Sequence, residues 1–406
     1  MSDTVSCHMP AAQTNHEGKA PFLDYYSQWN IIPVKQNIMD RPLHFARRDY
    51  LYRTLGMVPH WLQGRSVIEF GPGTADNAVY TDHLKPGEYW LVDKNPASIR
   101  EIKKKLDTGL LNNATCRIID ANFTEFTTDR QFDLVICEGC IPGQIHPAHV
   151  LKKMAAFCKP GAMLITTTAS EVSCLPELCR QIFLPAILDA AHSFDEQVAL
   201  ASAIFKPHLD FFKHSTRSIQ DWVKDSILHD WFLIPGAALL SIPDAITALQ
   251  ENFTFHASSP RFFQDCRWYK SVLPGDPFHE RVLSAHQTFL PALMECRLDD
   301  AQIARMSTGN ASHADFTLLC QRLRELRTEI IARHSYDTLD AFIEQLTTIR
   351  NALPEVMSMT KTSIDDFIVG IRRVADGNPL HPFGAFCDWW GRGQQHISLI
   401  RSPNDL

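Results

Sequence analysis

The sequence predicts an α/β fold with a doubly wound, mostly parallel sheet of seven strands, to which a helical lid or insertion is added. Three observations lead there. Between residues 65 and 168, short apolar runs alternate with helix-type segments. The runs are apolar throughout rather than at every second residue, as expected of parallel strands covered on both faces. A Gly-Pro-Gly turn follows the first run, where the chain must pass tightly from strand to helix.

Each element can be justified in order. "RSVIEF" is the first strand, followed by Gly71-Pro72-Gly73 and a helix through "ADNAVYTDHL". "EYWLVDKN" (88–95) is the second strand. The next segment places Ile99, Ile102, Leu106 and Leu110 at spacings of three and four, so it is an amphipathic helix opened by Pro96. "CRIIDAN" and "FDLVICEG" are the third and fourth strands. "PAHVLKKMAAFCK" is a helix ended by Pro160-Gly161, and "AMLITTT" is the fifth strand. Right-handed crossovers between parallel strands distribute these helices over both faces.

Beyond 170 the pattern changes. Residues 175–250 read as helical, with breaks at Pro185, Pro207, Pro235 and Pro243. "FTFHASSP" (253–260) reads as a strand, 261–390 as helical, and "QQHISLIRS" (394–402) as a closing strand of the same sheet. The expected organisation is therefore a mobile tail (1–21), N-terminal helices over the active site (22–62) and an α/β core (63–260). A helical insertion or lid (261–390) and a returning strand (391–406) complete it.

Composition narrows the function. With 45% hydrophobic and 21% charged residues, the chain has the makings of a sizeable core. A net charge of −7 argues against a nucleic-acid partner, which would require clustered Lys and Arg. The basic run at 103–105 reads as a solvated helix face. The stretch 231–243, broken by Pro235, Gly236 and Pro243, falls short of the roughly 20 apolar residues of a membrane span. The opening residues have neither an apolar core segment nor a basic leader. Eleven scattered cysteines read as reduced thiols, so a cytoplasmic protein is expected.

The turn after the first strand lies at the carboxyl edge of the sheet, where ligands bind in such folds. Gly71 and Gly73 let the backbone approach a ligand, but they are followed by Thr74, Ala75 and Asp76, so the third Gly of a G-x-G-x-x-G pattern is absent. Three more strand tips carry acids. Asp93 can accept both hydroxyls of a ribose, and Asp120 can accept from an adenine amino group. Glu138, with Gly139, lies beneath the place where a reacting group would sit. Individually these are ordinary capping or loop residues; together they mark one edge of one sheet.

This set resembles the class I S-adenosylmethionine-dependent methyltransferases, which have a Rossmann-like sheet. The likeness covers roughly 65–168: "EFGPGTADN" is similar to their glycine-rich motif, "LVDKN" to the second-strand acid and "IDAN" to the adenine-side acid. "FDLVICEG" and "LKKMAAFCKPGAMLITTT" follow as in the family, and "HISLIRS" matches its antiparallel last strand. The resemblance implies S-adenosyl-L-methionine as cofactor. Glu69, Gly71 and Gly73 would line the methionine part, Asp93 would hold the ribose, and Asp120 with Ala121 the adenine. Asn77, Lys94, Glu138 and Gly139 would complete the pocket, and Tyr26 or Arg48 from the leading helices would bind the cofactor carboxylate. Two features depart from the family's pattern: Ala75 stands in the place of the motif's usual third Gly, and a large insertion follows "HASSP".

After the fourth strand the chain lacks the Asn/Asp-Pro-Pro-Tyr tetrad of enzymes that methylate amino groups, which lowers the expectation of amine chemistry on a nucleobase. The opening "YYSQWNI", "SSPRF" and "WGRGQQ" resemble bacterial methyltransferases associated with surface-glycan genes, and that resemblance implies a small-molecule or glycan hydroxyl as acceptor. Removing its proton requires a base or a metal. His146 is the first candidate base, with Glu138 beside it; the bland reading of His146 is a loop residue before a helix. His149 could share a metal with it, yet that spacing alone defines no metal site. Cys137 and Cys140 form a lone C-x-x-C for which neither a zinc nor a redox role is expected. Arg261, Tyr269 and Arg392, in clusters of rings and charges, are the candidate substrate contacts. Two other readings stay open: a nicotinamide-dependent dehydrogenase on the same type of sheet, and a non-catalytic scaffold of methyltransferase-like fold. Oligomeric state is left open.

Overall fold

The computed structural model describes residues 21–189, 191–213, 215–229, 234, 236–308, 315–380 and 383–403. The expected tail therefore falls almost wholly outside the described residues, as does most of 231–235. The strands are β1 (Ser66–Phe70), β2 (Glu88–Asp93), β3 (Cys116–Asp120), β4 (Phe132–Cys137), β5 (Cys158–Thr168), β6 (Phe253–Ser259) and β7 (Gln395–Arg401). They form one seven-stranded sheet in the order β3-β2-β1-β4-β5-β7-β6. β1 to β5 are mutually parallel, and β7 is antiparallel to both of its neighbours. β6 thus points the same way as β5, and the first residues of β7 lie at the edge where the other strands end.

Strand alternation sends successive side chains to opposite faces. Val67, Leu91, Leu134 and Ile165 pack on one face with α2 (Arg41–Thr54), α3 (Asp76–His83) and α4 (Pro96–Asp107). Ile68, Val92, Val135 and Leu164 pack on the other with α5 (Pro147–Ala155) and the helix Ile242–Leu249. Each such fully buried aliphatic side chain contributes roughly 1.5–3 kcal/mol relative to exposure. Asp40 caps α2 and Asn95 caps α4, each accepting from a backbone N–H of the first turn.

Two boundaries differ from the sequence reading. α5 stops at Ala155, and β5 already begins at Cys158, so Pro160 and Gly161 lie within the strand. There the register jumps from Phe132↔Cys158 to Leu134↔Met163. Pro160 has no N–H for the ladder and Gly161 takes φ +76°, so the extra residues bulge outward.

The second difference concerns the helical part. One apolar cluster joins Val172, Leu175, Phe183 and Phe205 with Leu323, Leu346, Phe367 and Trp389. The helical body is therefore built from two segments, one before β6 and one after Phe289, rather than from 261–390 alone. Among the described residues, no helix is long and apolar enough to cross a membrane.

Candidate active site

A cavity of about 290 Å³ opens at the carboxyl edge of β1, β2 and β4. Its floor is the turn after β1. Gly71 takes φ +65°, and a Cβ there would meet Cys140 Cβ at 3.2 Å. Gly73 takes φ +57°, and its N–H donates to Asp93 Oδ2 at 3.2 Å. Ala75, in the position of the missing glycine, also adopts a left-handed φ of 56°. Its methyl is fully buried in the core beneath the turn, which offsets part of the roughly 1–2 kcal/mol that this conformation costs a non-glycine residue.

Four carboxylates line the cavity: Glu69, Asp76, Asp93 and Glu138; Asp76 is paired with Lys105 at 3.1 Å. Asp93 is buried at the tip of β2 and also accepts from the N–H of Asn95 at 2.8 Å. Burial pushes its pKa up to about 6 against the pull of these hydrogen bonds. Glu69, which accepts from the Tyr89 hydroxyl, is pushed up to about 7 by burial and by the Glu138 charge. Glu138 is different. Burial alone would raise it, but Arg48 outweighs that effect, with help from His396 and from hydrogen bonds, and holds it below the ordinary carboxylate value.

The Arg48–Glu138 pair is two-pronged, with Nη1 to Oε2 at 3.0 Å and Nη2 to Oε1 at 2.8 Å. Both side chains are about nine-tenths buried. Arg48 Nη2 also donates to the Tyr52 hydroxyl at 3.2 Å, and Asn77 Nδ2 donates to Glu138 Oε2 at 3.2 Å. His396 Nε2 lies 4.0 Å from Glu138 Oε1. Burial lowers the His396 pKa below the ordinary histidine value and Arg48 adds to that, while Glu138 pulls the other way.

A cover closes the cavity from the N-terminal side. Tyr26, in the first helix α1 (Pro21–Gln28), lines it together with Pro33 and Val34. The cover is tied to both parts of the molecule. Asn95 Nδ2 donates to the Ile31 carbonyl at 2.9 Å from the sheet side. From the helical side, Val34 N–H donates to Asp225 Oδ2 at 2.7 Å and the Tyr25 hydroxyl donates to the Lys224 carbonyl at 2.8 Å.

The structure thus brings Tyr26, Arg48, Glu69, Gly71, Gly73, Asn77, Asp93, Lys94, Glu138 and Gly139 to one cavity. It does not bring Asp120, Ala121 or His146 there. Asp120 points outward, 64% exposed, and pairs with Lys94 at 3.0 Å. The loop that follows it supplies Asn122 and Phe123 instead. His146 is exposed at the N-terminus of α5 with φ 55°, while Gln144, two residues earlier, reaches the wall. The histidine that does reach the cavity is His396, which sequence reasoning passed over. In register it sits between Thr167 of β5 and Ser259 of β6.

Next to this cavity lies a wider cleft of about 1570 Å³, bounded by the chain leaving β6 and the chain entering β7. Gln394 and His396 line both spaces. Arg261 and Arg392 line the cleft; Tyr269 does not, and stands 73% exposed.

The strand order with its antiparallel β7, and the acid- and glycine-bearing edge, define the class: this is the Rossmann-like fold of the class I S-adenosylmethionine-dependent methyltransferases, carrying a helical insertion. Residues 43–226 match a family model described as a methyltransferase domain. Among curated proteins, malonyl-(acyl-carrier protein) O-methyltransferase of Brevibacillus brevis is 26% identical over 125 residues. That stretch is 30% of this chain and 44% of the relative. Among solved structures, N-methyltransferase NodS from Bradyrhizobium japonicum WM9, in complex with S-adenosyl-L-homocysteine, is similar at 15% identity. The match covers 34% of this chain and 68% of NodS with a TM-score of 0.28. PKMT2 from Rickettsia typhi is similar at 14% identity over 55% of this chain and 46% of its own, with a TM-score of 0.38.

Proposed function

We propose that the protein is an S-adenosylmethionine-dependent methyltransferase that methylates a hydroxyl of a small molecule, such as a glycan precursor, held in the wider cleft. The cavity residues suit this donor. Two glycines cradle a ligand without side chains in the way, Asp93 offers two coplanar oxygens to a ribose, and the wall carries four carboxylates. Its two cations, Arg48 and Lys94, are both paired with acids, so the lining suits a cationic sulfur and not a pyrophosphate. When bound, the donor supplies a methyl group on a positively charged sulfur, which keeps the bonding electron pair as the methyl passes to the acceptor oxygen.

One observation carries the reading of the acceptor: His396 and Gln394 form the partition shared by the two spaces. A hydroxyl entering from the cleft meets an imidazole whose lowered pKa keeps it neutral at physiological pH. With Nε2 turned to Glu138, Nδ1 takes the hydroxyl proton. Glu138, held ionised by Arg48, stabilises the imidazolium that results, and the cover over the cavity excludes water. The curated relative, named as an O-methyltransferase, is compatible with transfer to oxygen. The ten described cysteines are free thiols, in keeping with a reducing compartment such as the cytoplasm.

The test is release of S-adenosylhomocysteine from labelled donor across a panel of sugars, sugar phosphates and phenols. His396→Gln is expected to lower kcat by about 100-fold or more with donor-product affinity within about twofold of the parent. Undiminished turnover would remove His396 from the chemistry. Folded protein that binds neither donor nor S-adenosylhomocysteine would end the whole reading.

A further inference from the structure

Four arginines line the wider cleft: Arg53, Arg261, Arg281 and Arg392. Two are already neutralised. Arg53 Nε pairs with Asp49 at 2.7 Å, and Arg281 pairs with Asp265 at 2.7 Å and Asp276 at 3.7 Å. The other two have no carboxylate within 4.0 Å among the described residues. Arg261 Nη2 reaches only the main-chain carbonyl of Arg53, at 3.4 Å. Arg392 Nη2 reaches only the carbonyl of Leu298, at 3.3 Å, and its Nε is buried with no hydrogen-bond partner. In a chain of net charge −7, two guanidinium groups left without acids on one wall form a local excess of positive charge.

Their place in the fold gives this excess a purpose. Ser259, paired in register with His396, is followed two residues later by Arg261, and Arg392 stands four residues before His396 on the approach to β7. The two cations therefore flank His396, one on the chain leaving the sheet and one on the chain entering it. Asp300 is the cleft's acidic lining residue among those described, and Phe212, Phe262 and Phe289 supply rings.

We infer that the methyl acceptor is an anionic small molecule whose oxyanion group, a phosphate or a carboxylate, is gripped by Arg261 and Arg392 while its hydroxyl lies at His396. This rests on the proposed methyl transfer for the meaning of the site, but the anion site itself is testable without turnover. Arginine is suited to the role because its planar fork meets two oxygens at once and never loses its charge.

The experiment is calorimetric titration of the full chain, saturated with S-adenosylhomocysteine, with inorganic pyrophosphate and separately with malonate, at constant ionic strength made up with chloride. Saturable binding of at least one is expected, weakened tenfold or more in the Arg261→Gln/Arg392→Gln double variant and less in Arg392→Lys, which keeps the charge but not the fork. Preference for pyrophosphate identifies a phosphorylated acceptor, and preference for malonate a carboxylated one. S-adenosylhomocysteine affinity, measured first in every variant, is expected to be unchanged and reports that the fold is intact. Intact donor-product binding with neither anion saturating, or with the double variant binding as tightly as the parent, overturns the inference and leaves the methyltransferase reading standing. Anion binding that follows the two arginines in a protein that ignores S-adenosylhomocysteine keeps the anion site and removes that reading.

Discussion

At the scale of single residues, the cavity works through carboxylates held in different charge states. Asp93 and Glu69 carry pKa values raised to about 6 and about 7, chiefly by burial. A ligand that favours their ionised forms must bind more tightly as pH rises through that window, since at lower pH binding has to expel the protons first. Affinity for S-adenosylmethionine is therefore expected to increase between about pH 5 and 8, and to do so more steeply than affinity for S-adenosylhomocysteine, which lacks the sulfonium charge; parallel titrations of the two check it. Asp93→Ala is expected to weaken S-adenosylhomocysteine binding more than tenfold while leaving the fold intact; unchanged affinity by calorimetry would refute the ribose assignment. The Arg48–Glu138 pair answers to a different rule. Arg48→Met leaves a buried carboxylate without its counter-charge, so a loss of about 3–5 kcal/mol in denaturant unfolding is expected. His146→Ala, on an exposed helix start, is expected to leave turnover unchanged in the labelled-donor assay.

At the scale of elements, the direction of a strand decides what its ends can do. The acids at the tips of β1, β2 and β4 were legible because parallel strands deliver their last residues to one edge, and an acid after an apolar run is easily seen. His396 was legible in principle. A closing strand expected to be antiparallel must begin at the edge where its neighbours end, so the residues just before "ISLIR" belong to the site. Asp120 and His146 were misplaced for a different reason. Asp120 is the last residue of β3 and His146 the cap of α5, and apolar periodicity contains no information on where a side chain at the end of an element turns: one faces solvent beside Lys94, the other takes a left-handed start to α5. The helical body was legible as helices but not as a unit, because an apolar face does not name its partner. The strand interior makes its own prediction. Leu134, fully buried in β4, is expected to cost about 2–5 kcal/mol on change to Ala, read from the urea midpoint at constant m-value.

At the scale of the whole molecule, two bodies share one piece of chain. The segment from α1 to Val34 is fastened by Asn95 to the sheet and by Asp225 and the Lys224 carbonyl to the helices. Asp225→Ala removes one fastening, although it also releases Arg217 from its ion pair. It is expected to raise the dissociation rate of S-adenosylhomocysteine several-fold with little change in association, as stopped-flow displacement would show. This arrangement has a kinetic consequence. Release of spent donor is expected to require that the strap slacken, a movement of large bodies against the friction of the solvent. With a reactive acceptor in excess, the pace of the cycle should then slow in proportion as glycerol or sucrose thickens the medium.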